Sequence, residues 1–308
     1  MKYTIITNRK YEHRSWFDLV REWEDDFKQK LEAEFIFEPF LFKNRYWQLL
    51  PFFFTSIVKH ADFPSLYMEM KANVFHLWKG NPKIVPWIID WYVNPRWLLL
   101  YKMMYKRHRI VLISSAEVFQ YLKRTSPELK ISHLALSLSD KYKIDKNTVY
   151  EKKYDVVLLG RQNPVLNFFL EQYQQTHRDI IIYIPEKNEV NTRDGYMKMI
   201  RMSKIGLYAT PGIDGGKVRT HGFSQVTPRF LEFIAGGCHI IARYEKNEDT
   251  DYYELEKFSS NIDSYENFER VMDKARTEPV DMESYAKYLS KHYTSERVKQ
   301  LKKIIENE

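Results

Sequence analysis

Short apolar runs alternate with helical patterns through the second half of this 308-residue chain. The strand-like runs are 154–159, 179–184, 205–209 and 238–243. The helical segments between them are 164–176, 194–203 and 228–235. Strands that alternate with helices predict a parallel sheet with helices on both faces.

The first half repeats this alternation less regularly. Its predicted strands are 3–7, 34–37, 73–78, 86–91 and 110–115. Its predicted helices are 16–33, 44–60 and 116–124, the first with Ser15 as its N-cap and the last with Ser115. Two such units in tandem predict two Rossmann-like α/β domains.

Charge, tryptophan and glycine all change near residues 143–153. Residues 1–150 hold 24 Lys and Arg against 16 Asp and Glu, whereas residues 151–308 hold 24 against 25. All seven tryptophans lie in the first half, and nine of the ten glycines lie between Gly160 and Gly237. These shifts predict a domain boundary in this segment, with a first domain over 1–148 and a second that begins at residue 149.

Several classes of protein are excluded or disfavoured by simple counts. Cys238 is the single cysteine, so no disulfide forms within the chain. The longest run without a charged residue, Tyr46–Val58, is thirteen residues long, below the roughly 18–20 that a membrane-spanning helix needs. With no secretory signal at the start, a cytoplasmic protein is expected. The nine histidines show no zinc-ligand spacing, so no metal site is predicted.

The segment 211–243 has the composition of a diphosphate pocket. Thr227 and Pro228 suit the N-cap and first position of a short helix, whose free N–H groups favour an anion. Glycines at four nearby positions would let the backbone approach a ligand. The cations beside them are Lys217, Arg219 and Arg229. Glu232, one turn into the helix, is placed to accept ribose hydroxyls. The alternative is an ordinary Gly-rich surface loop with a solvated Glu232.

Two motifs resemble the donor-binding half of GT-B glycosyltransferases, with CgeB-like and family-four bacterial enzymes nearest in pattern. They are YDVVLLGR at 154–161 and TPRFLEFIAGGCHIIAR at 227–243, within about 130 residues that match well. The resemblance implies that Gly160 and Arg161 close the first strand of the donor domain beside the diphosphate. It implies that Glu232 binds the donor ribose, and Arg229 matches an arginine typical of the CgeB-like subset.

The same resemblance implies the architecture and the reaction. A GT-B enzyme has two Rossmann-like domains facing each other across a cleft, and its final helix, here 283–308, crosses back to the N-terminal domain. The expected activity is transfer of a sugar from a UDP- or GDP-sugar to a glycan or lipid-linked acceptor, in bacterial surface polysaccharide synthesis. No metal or other cofactor is expected, because basic side chains would stabilise the leaving diphosphate.

The sequence departs from the family-four pattern at Ser224. Retaining enzymes of that family place a second glutamate eight residues before the ribose glutamate, and Ser224 occupies that position here. Retention or inversion therefore stays open. The departure also keeps a second hypothesis, a catalytically silent GT-B-like partner subunit.

An inverting reaction needs a general base for the acceptor hydroxyl. Three residues are candidates by position: Asp90 after the strand at 86–91, His13 in the first loop, and His221 in the Gly-rich loop. Asp90 is otherwise a helix cap or a partner of Arg96, and His13 a solvated loop residue.

The DxD at Asp249–Asp251 matches the metal-diphosphate signature of the GT-A fold, but we expect it to be a solvated acidic loop.

Aromatic and basic residues at 40–59 and 94–109 are typical of segments that lie on an anionic membrane, so association with the inner face of the cell membrane is a further hypothesis. They also suit a buried helix with a basic rim, or an acceptor site. The basic character raises a nucleic-acid binder as an alternative, although no nucleic-acid-binding motif is visible.

Overall fold

The computed structural model describes residues 3–9, 17–37, 64–72 and 83–307. The chain divides into two compact units, Met1–Ser139 with Thr294–Glu308, and Asp140–Tyr293. Both boundaries differ from those expected at 148/149 and 282/283, because the intervening residues pack within the second unit. Ile144, for example, donates its N–H to the hydroxyl of Tyr293 over 3.2 Å.

Within its described residues, the first unit contains a six-stranded parallel sheet in the order β2-β1-β3-β4-β5-β6. Its strands are β1 (Thr4–Thr7), β2 (Glu34–Phe37), β3 (Ser65–Lys71), β4 (Ile84–Asp90), β5 (Val111–Ile113) and β6 (Ile131–His133). Its helices are α1 (Asp18–Leu31), α2 (Leu98–Tyr105), α3 (Ala116–Thr125) and α11 (Thr294–Glu306).

Helix α1 shows why these residues form a helix against this sheet. Trp23, Phe27 and Leu31 recur every four residues, and all three are buried in one core with Trp87 of β4. The helix begins at Asp18 after Phe17, which makes no side-chain cap. The cap expected at Ser15 lies outside the described residues, as do the helix expected at 44–60 and the strand expected at 73–78.

The second unit contains a four-stranded parallel sheet in the order β10-β9-β7-β8. Its strands are β7 (Tyr154–Val157), β8 (Ile182–Tyr183), β9 (Ser203–Ala209) and β10 (His239–Arg243). Its helices are α4 (Pro164–Thr176), α5 (Arg193–Met202), α6 (Lys217–Thr220), α7 (Arg229–Ala235), α8 (Glu248–Tyr252), α9 (Tyr265–Thr277) and α10 (Met282–Leu289).

Local signals predicted most of these elements well. The side chain of Asn163 accepts hydrogen bonds from two N–H groups at the start of α4, with Pro164 at the first helical position. Ser115 caps α3 in the same way. Strand β8 is shorter than the predicted 179–184. Ile181, just before it, donates its N–H to the side-chain carboxylate of Asp155 in β7 instead of to a backbone carbonyl of that strand.

The order of the second sheet determines where a ligand can bind. From β7 the chain moves to β8 on one side and later to β9 on the other, so the crossovers diverge between β7 and β9. A crevice at the carboxyl ends of two such strands is where open α/β sheets bind ligands. In the part of the chain that the structure describes, no helix is both long and apolar enough to span a bilayer.

Candidate functional site

A cavity of about 460 Å³ lies at the carboxyl ends of β7 and β9, within the second unit. It is lined by the loop after β7, the first turn of α4, the loop after β9 and the first residue of α7. Its volume falls in the range of about 300–1,000 Å³ that is typical of small-molecule sites. The second sheet therefore presents a cavity at its topological switch point.

Three arginines from separate segments line this cavity: Arg161 after β7, Arg219 in α6 and Arg229 at the start of α7. Arg229 is held in place by two of its own hydrogen bonds. Its Nε donates to the hydroxyl of Tyr196 over 3.1 Å, and its Nη1 donates to the carbonyl of Arg161 over 3.0 Å. Converging guanidinium groups favour an anion with several oxygens, such as a diphosphate.

Gly160 lies directly beneath the Arg229 guanidinium. A Cβ at residue 160 would come within 2.4 Å of Arg229 Nη2, and the residue has φ +61°. Both observations require glycine, since other residues rarely adopt this conformation. The Gly160–Arg161 pair thus provides the space and the carbonyl acceptor that place Arg229 at the cavity.

Asp214 contributes a carboxylate to the cavity wall, but its charge is fully engaged. Arg243 of β10 donates to both of its oxygens, over 2.7 and 2.8 Å, and Asn163 Nδ2 donates over 2.7 Å. Burial alone would raise the pKa of Asp214, but these hydrogen bonds hold it below its ordinary value. The pairing joins the loop after β9 to β10 and to the start of α4, and it leaves the cavity suited to anions.

Replacing Asp214 with asparagine is expected to lower the free energy of unfolding by about 1–3 kcal/mol at pH 7, because Arg243 loses its charged partner. The folded-state pKa lies below the unfolded value of about 3.9. The contribution is therefore complete above pH 4 and is lost as the pH falls through the folded-state pKa. Urea titrations of both proteins at pH 7 and pH 3 check this. A difference in unfolding free energy that is as large at pH 3 would contradict it.

Glu232 lies one turn behind Arg229 and is buried, with its side chain 3% exposed. Its Oε1 accepts a hydrogen bond from Arg193 Nη2 at the start of α5 over 2.7 Å. It is not among the residues that line the cavity. The solvated glutamate considered from the sequence is therefore wrong, whereas its contact with a ribose stays a prediction.

The other predicted donor-binding residues lie in different surroundings. Lys217 pairs with Glu245 over 2.7 Å, and both side chains are more than half exposed. Thr227 lines the cavity, but α7 begins at Arg229 with Pro228 in the cap position and no side-chain cap. The expected cap at Thr227 is therefore wrong. Its N–H instead donates to the hydroxyl of Tyr208 over 2.9 Å.

The three candidate bases occupy different parts of the chain. Asp90 is the last residue of β4, in the first unit, and is aligned with Lys71 of β3. His221 follows α6 in the second unit with φ +54° and is half-buried. His13 lies outside the described residues. Their catalytic roles stay predictions.

Ser224 and the DxD segment both have structural surroundings. Ser224 is buried and donates to the Thr210 hydroxyl over 2.8 Å. The DxD is part of α8, where Asn247 and Thr250 form a capping box and Asp249 is fully buried. The expected solvated loop is therefore wrong, since these residues form a helical turn. The described ranges contain no group of three or more His, Cys, Asp or Glu side chains arranged to hold a metal ion.

Sequence reasoning missed the side chains that support the site. Arg193 and Tyr196 contact Glu232 and Arg229, and Asp214 joins three segments. No local pattern distinguishes them, because each partner is at least 29 residues away along the chain.

No protein-family model and no curated protein matches the chain, but solved structures do. A glycosyltransferase from Rickettsia africae matches with a TM-score of 0.60 and 10% identity, over 99% of this chain and 98% of that one. A lipopolysaccharide outer core galactosyltransferase, WaaB, matches with a TM-score of 0.54 and 10% identity, over 100% of this chain and 99% of that one. A Listeria monocytogenes protein described as a UDP-N-acetylglucosamine 2-epimerase matches with a TM-score of 0.55 and 9% identity, over 99% of this chain and 96% of that one.

At 9–10% identity these likenesses establish the fold alone. Nearly the whole chain takes part in each match, so the shared fold includes both parallel sheets. The likeness to these structures confirms the expected GT-B resemblance, whereas the CgeB-like subset stays a prediction. The chain has the two-domain α/β GT-B fold.

Proposed function

We propose that the protein is a glycosyltransferase that uses a nucleotide-diphosphate sugar as its donor. The observation that supports this most strongly is the arginine-lined cavity at the switch point of the second sheet. Two proteins of the same fold are named as glycosyltransferases, and one of these acts on lipopolysaccharide. A glycan or lipid-linked acceptor in bacterial surface polysaccharide synthesis is the acceptor we propose.

The geometry gives each group a role in the transfer. As the bond from the sugar C1 to the diphosphate oxygen breaks, negative charge grows on the leaving diphosphate. Arg161, Arg219 and Arg229 stabilise that charge around the cavity. Arg229, which two hydrogen bonds hold in place, contributes the preorganised donor that lowers the barrier most. The acceptor oxygen forms the new bond to C1 as its hydroxyl proton leaves. In an inverting transfer that proton goes to a general base, for which Asp90, His13 and His221 stay candidates. No metal is part of the proposal.

A thermal-shift panel with UDP, GDP, ADP, CMP and TMP, each with and without EDTA, tests the donor site. A nucleotide at about 100 times its Kd adds roughly 2.7 kcal/mol of stability, which raises the Tm by several degrees. We expect one diphosphate to give this shift, insensitive to EDTA. Glu232→Gln should abolish it, and Glu171→Gln, on an exposed position of α4, should not. No shift with any nucleotide would contradict the proposal and favour a silent subunit or a nucleic-acid binder.

Epimerisation of a nucleotide sugar is a second candidate, because one match of the same fold is described as an epimerase. Incubation of the protein with UDP-N-acetylglucosamine alone, followed by proton NMR, separates the two. An epimerase converts the sugar at C2 without any acceptor. A transferase leaves the donor unchanged until an acceptor is added.

We propose in addition that α2 contacts an anionic membrane surface, which would suit a lipid-linked acceptor. Tyr101 and Tyr105 face inward, donating to the Ala72 carbonyl over 3.1 Å and the Glu69 carboxylate over 3.0 Å. Outward, Leu99 is 72% exposed. Trp97 and Met103 are also exposed, at 55% and 61%. The second segment of this hypothesis, 40–59, lies outside the described residues.

Sedimentation with lipid vesicles tests this surface. We expect binding to vesicles containing phosphatidylglycerol, weakened by salt and at least about tenfold weaker with phosphatidylcholine alone. The Leu99→Glu variant should lose the binding, because it places a charge among exposed apolar side chains. Phe168→Glu, at an exposed phenylalanine of α4, is the matched control. Equal sedimentation of wild type and Leu99→Glu would contradict the proposal.

A further inference from the structure

Two residues of α5 contact two residues of α7, and both pairs have the same spacing. Arg193 and Tyr196 are three residues apart on one face of α5. Arg229 and Glu232 are three residues apart on α7, so the four side chains meet in two pairs. Arg193 donates to Glu232 over 2.7 Å, and Arg229 donates to Tyr196 over 3.1 Å.

In both α7 side chains these contacts use some of the polar atoms, and one further polar atom stays available to a ligand. Glu232 uses Oε1 for Arg193, and its Oε2 accepts no hydrogen bond from the residues that the structure describes. Arg229 uses Nε for Tyr196 and Nη1 for the Arg161 carbonyl, which leaves Nη2 without such a partner in the same ranges. Nη2 is the atom that lies over Gly160 at the cavity.

We propose that Arg193 and Tyr196 are positioning residues with separate tasks. Arg193 orients Glu232 so that Oε2 accepts a ribose hydroxyl, and Tyr196 orients Arg229 so that Nη2 binds the donor diphosphate. This inference rests on the proposed function, since it assumes that a nucleoside diphosphate occupies the site. It assigns recognition of the sugar and of the phosphates to different residues of one helix.

The surroundings of α5 support a fixed geometry. The Arg193 and Glu232 side chains are only 14% and 3% exposed, so solvent screens their attraction weakly. The Arg193 guanidinium also lies over the rings of Tyr142 and Tyr196, 5.9 and 5.4 Å from their centroids. Burial raises the pKa of Tyr196, which keeps the phenol neutral as the acceptor of the Arg229 hydrogen bond.

Two affinity ratios, measured by calorimetry on the full chain, separate the tasks. The first compares UDP or GDP with its 2′-deoxy counterpart and reports recognition of the ribose. The second compares the diphosphate with UMP or GMP and reports recognition of the phosphates. A hydrogen bond to a charged group makes each wild-type ratio roughly ten- to a hundredfold.

Arg193→Gln is expected to reduce the ribose ratio to about threefold or less and to leave the phosphate ratio within about twofold of wild type. Tyr196→Phe is expected to reduce the phosphate ratio to about threefold or less and to leave the ribose ratio within about twofold of wild type. Arg201→Gln is the matched control, since Arg201 lies on the same helix and over the same Tyr142 ring, 5.7 Å away, and should change neither ratio. Arg193→Lys, which keeps the charge, should recover part of the ribose ratio.

The outcomes distinguish the inference from the function on which it rests. If the wild type binds no nucleoside diphosphate, the proposed function and this inference both fail. If it binds with the expected ratios but both ratios fall together in each variant, α5 is merely structural and only this inference fails. A ribose ratio that rises in Arg193→Gln would mean that Arg193 competes with the ribose for Glu232, which also overturns it.

Discussion

Replacement of Arg229 with alanine is expected to slow consumption of the nucleotide-sugar donor roughly 100- to 1,000-fold. Arg229 is the cavity arginine whose guanidinium is held by both α5 and the loop after β7. The variant removes a preorganised donor to the growing charge of the leaving diphosphate. The measurement is the steady-state rate with the nucleotide sugar whose base the thermal-shift panel identifies.

Two further variants make this prediction specific. Arg229→Lys keeps the charge but loses the planar fork that bonds Tyr196 and Arg161 together, so we expect most of the loss to remain. Arg270→Ala should act like wild type, because Arg270 is an exposed residue of α9 whose side chain bonds Asn267 alone among the described residues. A rate for Arg229→Ala within about threefold of wild type would show that this cavity does not bind the leaving group.

Gly160→Ala is expected to weaken nucleotide binding about as much as Arg229→Ala does. The new Cβ would lie 2.4 Å from Arg229 Nη2, so the guanidinium must leave its place over residue 160. The φ of +61° adds strain of about 1–2 kcal/mol. Calorimetry with the identified nucleotide measures the affinity, and urea titration measures the free energy of unfolding.

A double-mutant cycle separates the steric effect from the strain. In an Arg229→Ala background, Gly160→Ala should cause no further loss of nucleotide affinity, because the group it displaces is already gone. Gly222→Ala is the matched control for strain. Gly222 is not among the residues that line the cavity, has φ +97°, and a Cβ there meets nothing within 4 Å, so stability should fall while the affinity persists. Additive losses in the cycle would mean that Gly160 acts independently of Arg229.

The fold was predictable to the extent that local patterns specify it. Helix starts at Asn163 and Ser115 follow from a side-chain oxygen that accepts the first free N–H groups. The strands at β7, β9 and β10 follow from apolar runs bounded by polar or glycine-rich segments. The expected strand at 179–184 is longer than β8, because a side chain of a neighbouring strand, Asp155, takes the N–H of Ile181.

The candidate site was predictable only in part, because local patterns do not show which distant side chains come into contact. Gly160 and Arg161 belong to the first of the two short motifs and Arg229 to the second, and the three residues meet at the cavity. Glu232 is in the expected helix but is buried against Arg193, a residue 39 positions earlier in the chain. The charge on Asp214 is neutralised by Arg243, 29 positions later.

Hydrophobic periodicity and helix capping act over a few residues, so local patterns were enough to predict two parallel sheets, the positions of most helices and the place of the glycine-rich loop. Which charged side chains pair with each other depends instead on how distant segments pack in the fold. Arg193 and Glu232 pair because α5 packs against α7. Asp214 and Arg243 pair because the loop after β9 lies beside the end of β10. Desolvation then makes an unpaired charge costly there, so the partner is set by the packed neighbours of each side chain.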